Sequence, residues 1–314
     1  MPPETVPPAA VPAEPLSRVP LSPEPPLVDD HRRLEAGLDR LQTRAPARRS
    51  PLRRALATAL PPVVFVVLLV VAWQAAVVLL DLSPDVLPSP AAVAGAVGAA
   101  WASGTLPAAV ATSVGRAFVG YALALVVGTA LGLLLAEVRP IRRAVGPVVS
   151  GLMVLPSVAW VPAATLWFGL SDALVTFVVL MGGVPSIALG LVAGVDQVPP
   201  QLRRVGRVLG AGRFRQSVDI VFPAALPGYL AGISQGWAFS WRGVLAAEII
   251  AVGGSLGTGV GALLQQSREA TDLAGVLGAI LVILAIGIAV ELALLAPVQR
   301  RVLRGRGLAP GGAS

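Results

Sequence analysis

Residues 201–223 read Gln201-Leu-Arg-Arg-Val-Gly-Arg-Val-Leu-Gly210-Ala-Gly-Arg-Phe-Arg-Gln-Ser-Val-Asp-Ile220-Val-Phe-Pro223. The stretch is too polar to cross a bilayer, yet it keeps a helical period around a central glycine. It predicts a helix, a glycine-mediated turn and a second short helix, with Pro223 separating it from the next apolar run. Val205, Leu209 and Phe214 offer apolar anchors among arginines. Two uses fit such an element: its basic face can lie on anionic lipid, or it can dock a partner protein.

The flanking sequence supplies the membrane. Of 314 residues, 55% are hydrophobic and 13% charged, with a mean hydropathy of +0.78; a soluble domain carries about 25% charged residues. A helix needs about 20 apolar residues to cross a hydrocarbon core about 30 Å thick. Six runs meet that length, at 56–80, 113–136, 145–168, 172–195, 226–251 and 273–298. The third contains Pro156 and Pro162, which predict a kinked or broken helix. Seventeen arginines fall within 44–54, 139–143, 203–215 and 300–306, all on one side of these spans. The opposite loops hold Arg268, with Arg116 just inside a span. The positive-inside rule then places both termini and the 201–223 stretch in the cytoplasm.

Composition removes whole classes of chemistry. Every one of the 24 basic side chains is arginine, so Schiff-base catalysis and a P-loop, which needs its lysine, are excluded. Cysteine is absent and the one histidine is His31, so thiol nucleophiles, His triads and multi-His metal centres cannot be assembled. The net charge of +7 is explained by topology and implies no nucleic-acid partner.

Residues 1–52 form a Pro-rich tail; the first 50 hold 11 of the 29 prolines and equal numbers of arginines and carboxylates. Such a segment buries too little apolar surface to offset its ordering entropy, and disorder is expected. A transient helix over 30–42 would align Leu34, Leu38 and Leu41. The tail does not read as a secretory signal, because its first apolar run comes too late and no small-residue cleavage site is present. A membrane domain is expected over 53–304, with 196–223 as its cytoplasmic loop, and 305–314 form a short C-terminal tail.

The loop resembles the "EAA loop" of importer-type ABC transporter permeases: Glu-Ala-Ala, three residues, Gly, nine residues, Ile, any residue, Leu-Pro. Gly210, Ile220 and Pro223 match in register, with Phe222 in place of Leu, while Arg204, Val205 and Gly206 stand at the Glu-Ala-Ala positions. Leu87-Pro-Ser-Pro90, Ser113-Val-Gly-Arg116 and Pro156-Ser-Val-Ala-Trp-Val-Pro162 resemble the nitrate/sulfonate/taurine branch of these permeases. So do Leu166-Trp-Phe-Gly169, Gly236-Trp-Ala-Phe-Ser-Trp241, Ala247-Glu248, and Gly287 followed by Glu291. The similarity covers about 56–304.

The resemblance implies an all-α membrane protein with six transmembrane helices of the type I importer permease kind and a helix–turn–helix coupling loop. It implies a multi-pass subunit of a prokaryotic plasma membrane, non-catalytic, carrying a small anionic solute such as a sulfonate, taurine or nitrate. The implied partners are ABC ATPase subunits, an extracytoplasmic solute-binding protein and a second permease copy. No cofactor is implied for this chain; ATP and Mg²⁺ would sit on the partner. Docking would fall on Arg204, Val205, Gly206, Arg207, Leu209, Gly210, Ala211, Ile220 and Pro223. The competing reading is a secondary carrier or channel working without an ATPase, against which the spans hold few carboxylates for H⁺ or Na⁺ and show no inverted repeat.

An ionisable residue in a span costs at least ~2.5 kcal/mol at mid-bilayer and needs a partner or a purpose. Arg116 and Glu248 both lie toward outer helix ends and are expected to pair. Arg242 lies roughly 24 Å along its helix from Leu226 at 1.5 Å per residue. It can snorkel, pair with Glu248 or Asp272, or face the pathway, where a guanidinium suits a small oxyanion. Trp237 and Trp241 share one face, in packing or in substrate stacking. Glu291, Asp172 and Asp196 are expected near interfaces, in water. Glycines at 128/132, 190/194 and 228/232/236 allow close helix approach, the last set offering a seam that could serve a dimer.

Overall fold

A computed structural model describes residues 51–212, 215–253 and 256–305, with side chains from Leu60 onward. The 1–50 and 306–314 tails, Arg213 and Phe214 lie outside the described residues. Every regular element among those described is helical. In chain order these are α1 (Pro51–Leu79), α2 (Pro90–Ala102), α3 (Thr105–Glu137), α4 (Arg139–Val154), α5 (Val161–Phe168) and α6 (Asp172–Asp196). After them come α7 (Pro200–Val208), α8 (Phe222–Ile250), α9 (Val260–Glu269), α10 (Leu273–Val290) and α11 (Ala296–Arg304). The chain divides into two compact units within α1, between Leu68 and Leu69. In the first, the described residues are the opening turns of α1, whose Phe65 and Leu68 are exposed; the second holds every other element.

Five helical stretches are long and apolar enough to span: Leu60–Leu79, Thr105–Glu137, Asp172–Asp196, Gln216–Ile250 and Leu273–Arg304. The expected third span is not continuous. α4 stops at Val154, and the chain resumes through a single 3-10 turn (Ser157–Trp160) into α5, bent by 101°. Proline disfavours helical geometry at the residue before it; Leu155 (ψ 120°) and Pro156 (ψ 130°) are extended, and the helix ends there. Counting the bent pair as one broken span gives six.

Two helices were not expected from the apolar runs. α2 begins with Ser89 as N-cap, its hydroxyl accepting from the Ala92 N–H at 3.2 Å, and Pro90 in the first turn; this is the standard helix-start pairing. Gly104, at φ 78°, then turns the chain into α3, which starts eight residues before the expected boundary. α9 lies between α8 and α10, at the end of α8 away from α7.

α6 is the centre of the second unit, with Leu174, Val175, Val178, Val179, Ile187 and Leu191 buried. Lipid is as apolar as leucine, so helix association in a bilayer depends on close packing, which small residues permit. Gly128 and Gly132 of α3 lie against Ile187 and Ala188 of α6. On the other side Gly190 and Gly194 of α6 meet Gly232 and Gly228 of α8, backbone to backbone; a Cβ at any of these four would run into main-chain atoms of the opposite helix. The seam at 228/232/236 is therefore filled within the chain, with Gly236 against Ile187, and does not face a second copy. Polar pins add direction. Tyr121 donates to the Ile233 carbonyl at 2.8 Å, Thr129 and Tyr229 share a 2.5 Å bond, and Gln299 donates to Ser234 at 2.5 Å.

Candidate functional site: the 200–223 hinge, the outer network and Arg242

α7 ends in a glycine cap whose every bond is present. The Gly210 N–H donates to the Arg207 carbonyl at 3.0 Å, and the Ala211 N–H to the Gly206 carbonyl at 2.9 Å. Gly210 itself sits at φ 75°. This is a Schellman termination, which satisfies two orphan carbonyls at the cost of one left-handed residue. Around Gly210 no atom lies within 4 Å of where a Cβ would be, so the demand for glycine is conformational and not steric.

At Gly206 the demand for a small residue is steric. This glycine is the one buried residue of α7, and a Cβ there would strike the Ile220 side chain. The motif's small third position and its isoleucine thus form one contact, clamping α7 to the start of the next helix. Gln216 Nε2 reinforces it by donating to the Arg203 carbonyl at 2.6 Å, and the Ser217 hydroxyl donates to Glu137 at the end of α3 at 2.8 Å. The rest of α7 is open: Val208 is 87% exposed and Leu209, its C-cap, 79%, with Leu202, Val205 and Arg204 also exposed. Arg207 and Ala211 lie on the inner side, lining a groove.

The expected second short helix and the break at Pro223 are both corrected. Gln216–Val221 is a π-helical turn that runs without interruption into α8. The Phe222 N–H reaches back to the Ser217 carbonyl, so the turn widens just ahead of Pro223. Widening accommodates the ring and the missing N–H that would otherwise break the helix. Residues 216–221 are therefore continuous with the fifth span.

At the other end of α8 lies a buried charge network. Arg116 Nη1 donates to Glu248 at 2.9 Å and Arg116 Nε to Asp172 at 2.8 Å. The Ser113 hydroxyl donates to the second Glu248 oxygen at 2.6 Å, which also accepts the Gly261 N–H at 3.1 Å. Ser113 in turn accepts the Val260 N–H at 2.8 Å. The carboxylate thus serves the N-terminal turn of α9, where free N–H groups favour negative charge. Sequence reasoning paired Arg116 with Glu248 but missed Ser113 and α9, since it treated Ser113-Val-Gly-Arg116 and Ala247-Glu248 as separate motifs. Asp172 and Asp196 are not simply solvated. Asp172 holds Arg116, and Asp196 takes both Nη atoms of Arg142, one at 2.8 Å.

Arg242 pairs with neither expected carboxylate: Glu248 is committed as above, and Asp272 caps α10 by accepting from the Gly275 N–H at 3.0 Å. Its guanidinium lies over the Phe239 ring, 5.3 Å from the centroid. It is exposed and lines two cavities. One, of 410 Å³, is formed with the Pro156 break and Gly182; the other, of 670 Å³, with Trp241, Gly287 and Glu291. Trp237 and Trp241 stack on each other at 6.3 Å and are both buried, which favours packing over substrate stacking. Among the described residues no group of three or more His, Asp or Glu is placed to hold a metal.

The family model "Binding-protein-dependent transport system inner membrane component" matches residues 128–302. That span contains the loop, Arg242 and Glu248. Among curated relatives, the riboflavin transport system permease protein of Chloroflexus aurantiacus is 33% identical over 67% of this chain and 76% of its own. The taurine transport system permease protein of Escherichia coli is 30% identical over 55% of this chain and 61% of its own. For the nitrate import permease protein of a Synechocystis strain the values are 28%, 51% and 57%. The chain thus spans less than two thirds of the length of the taurine and nitrate relatives. A crystal structure of an amino acid ABC transporter with histidines aligns at TM-score 0.50 and 14% identity, over 62% of this chain and 93% of that one. This likeness concerns the fold.

Proposed function

Because the chain belongs to the family of binding-protein-dependent transport system inner membrane components, we propose that it is the non-catalytic membrane subunit of an ATP-driven importer. The family and the apolar helices make it a multi-pass inner-membrane protein. In this reading both termini and α7 are cytoplasmic, as the arginine distribution requires. Two copies form the pathway, a separate ATPase docks on each α7, and an external solute-binding protein delivers the substrate. ATP and Mg²⁺ belong to the ATPase.

The observation that carries the proposal is the exposed apolar surface of α7. The helix is held to the π turn ahead of α8 through Gly206 and Ile220, yet it presents Val208 and Leu209 to solvent. Leu202, Val205, Val208 and Leu209 are all exposed on this one short element, and a contiguous apolar patch marks an interaction site. From Gln216 to Ile250 the helix is continuous, about 50 Å at 1.5 Å per residue. Movement of α7 by a closing ATPase is therefore delivered along α8 to the far side of the membrane, biasing a two-state pathway.

The chain has no cysteine, so Val208→Cys creates a unique thiol. In intact cells it is expected to resist an impermeant maleimide added outside and to react after permeabilisation. The purified chain should hydrolyse no ATP unless joined by its ATPase and should move solute only in that complex. Labelling from outside, or transport by the chain alone in liposomes, would overturn the proposal.

The substrate class we propose is a small anion, on the strength of Arg242. It is a guanidinium with no carboxylate partner among the described residues, placed between two cavities within a span. An unpaired cation there is costly, and a small oxyanion would compensate it bidentately. Arg242→Gln is expected to cut uptake of an anionic substrate about tenfold or more while leaving ATPase association unchanged. Unchanged affinity and rate for such a substrate would remove the assignment.

A further inference from the structure

The inner side of α7 faces a groove of about 820 Å³, whose lining includes Arg207 and Ala211 of the docking set but neither Val208 nor Leu209. Arg139 from the start of α4 and Arg203 and Arg207 from α7 line it, together with Glu137, Ser217 and Val221. Arg203 and Arg207 are one helical turn apart, hence on one face, while the exposed apolar residues occupy another. None of the three arginines has a carboxylate partner among the described residues; the ion pairs there involve Arg116 and Arg142. The carboxylate in the groove, Glu137, accepts the Ser217 hydroxyl. Three guanidiniums against one carboxylate converge on one cavity, Arg203 also donating to the Val195 carbonyl at 3.4 Å, and their planar forks suit phosphate oxygens.

Position selects the source of the phosphate. Glu137 ends α3, one of the helices long and apolar enough to span, so the groove lies at the end where α3 leaves the membrane. Leu133 and Leu134, four and three residues before Glu137 and so on its face of α3, are exposed. They put apolar surface on the membrane side of Glu137 along that face. A free phosphate would use the arginines and leave that surface idle; a lipid uses both. The geometry points to a binding site for the phosphate headgroup of an anionic phospholipid of the cytoplasmic leaflet, wedged between α7 and the end of α3.

The assignment rests on the cytoplasmic placement of α7 proposed above, and the test keeps the two apart. The full chain is purified with its ATPase, and retained lipid is measured by native mass spectrometry after exchange into phosphatidylcholine, phosphatidylglycerol or mixed micelles. Phosphatidylglycerol is expected to be retained over phosphatidylcholine. Arg139→Gln/Arg203→Gln, which spares the proposed docking residues, is expected to lose retention about fivefold per charge removed, with ATPase co-purification unchanged. Excess inorganic phosphate should not displace the lipid. Equal retention by the double variant, or displacement by phosphate, overturns the site. Loss of the ATPase with lipid unaffected assigns the groove to a protein partner instead. Should the double variant fold poorly, Arg139→Gln alone must show the single-charge loss. A wild-type chain that comes without any ATPase contradicts the transport reading and leaves the lipid measurement standing by itself.

Discussion

Gly210→Pro is expected to abolish ATP-driven uptake, by at least about a hundredfold, in a chain that still inserts with all its spans. Proline fixes φ near −65°, while residue 210 sits at φ 75°. Its missing N–H also deletes the bond to the Arg207 carbonyl. Together these cost ~3 kcal/mol at the end of α7, about the factor of a hundred expected in coupling. The open space around Gly210 makes the substitution series diagnostic. Asparagine, which tolerates the left-handed region, should transport nearly as well as glycine. Alanine should lose ~1 kcal/mol, and valine more. A steric site would rank these by size and penalise asparagine beyond alanine. Uptake by membrane vesicles and ATPase stimulation read the effect, with insertion checked by the unique-thiol labelling. Full transport by a correctly inserted proline variant would mean that α7 is not the lever.

How much of this was legible in the sequence depends on the kind of interaction. The spans were, because desolvation is summed over about 20 residues and single departures hardly change it. The glycine hinge was also legible, since a conformational requirement at one residue leaves one residue type. The partner of Gly206 was not: its reason lies across the loop at Ile220, and nothing local distinguishes it from any small helical residue. Pro223 misled for a related reason. Proline breaks an α-helix, but the preceding π turn absorbs it, and a π turn has no short-range sequence signature. The glycines at 190/194 and 228/232 were visible as close-approach motifs, yet which helix each would meet is a property of the fold. Arg116 and Glu248 were matched by charge and depth, whereas Ser113 and the N-terminus of α9 joined them only once the outer loop had a path.

The outer network makes a prediction of a different kind, a loss of fold and not of coupling. Glu248→Ala is expected to destabilise the chain by ~3–5 kcal/mol, the range for removing one partner of a buried pair. It leaves Arg116, whose side chain is 10% exposed, with the exposed Asp172 as its remaining carboxylate. It also strands the Ser113 hydroxyl and the Gly261 N–H. Arg116→Met strands the carboxylate instead and should cost about as much. The double variant Arg116→Met/Glu248→Met removes both charges and should recover a large part of the loss, because a buried pair is worth little against well-packed apolar side chains. Asp172 offers the internal contrast. It bonds the same guanidinium, but its side chain is 73% exposed, so Asp172→Asn should cost less than ~1 kcal/mol. Thermal melting of the detergent-solubilised protein orders the four variants. If Glu248→Ala melts with the wild type, the carboxylate does not hold α3, α8 and α9 together. If instead the double variant is as unstable as either single one, what matters is the bond between these two side chains and not the penalty of stranding a charge.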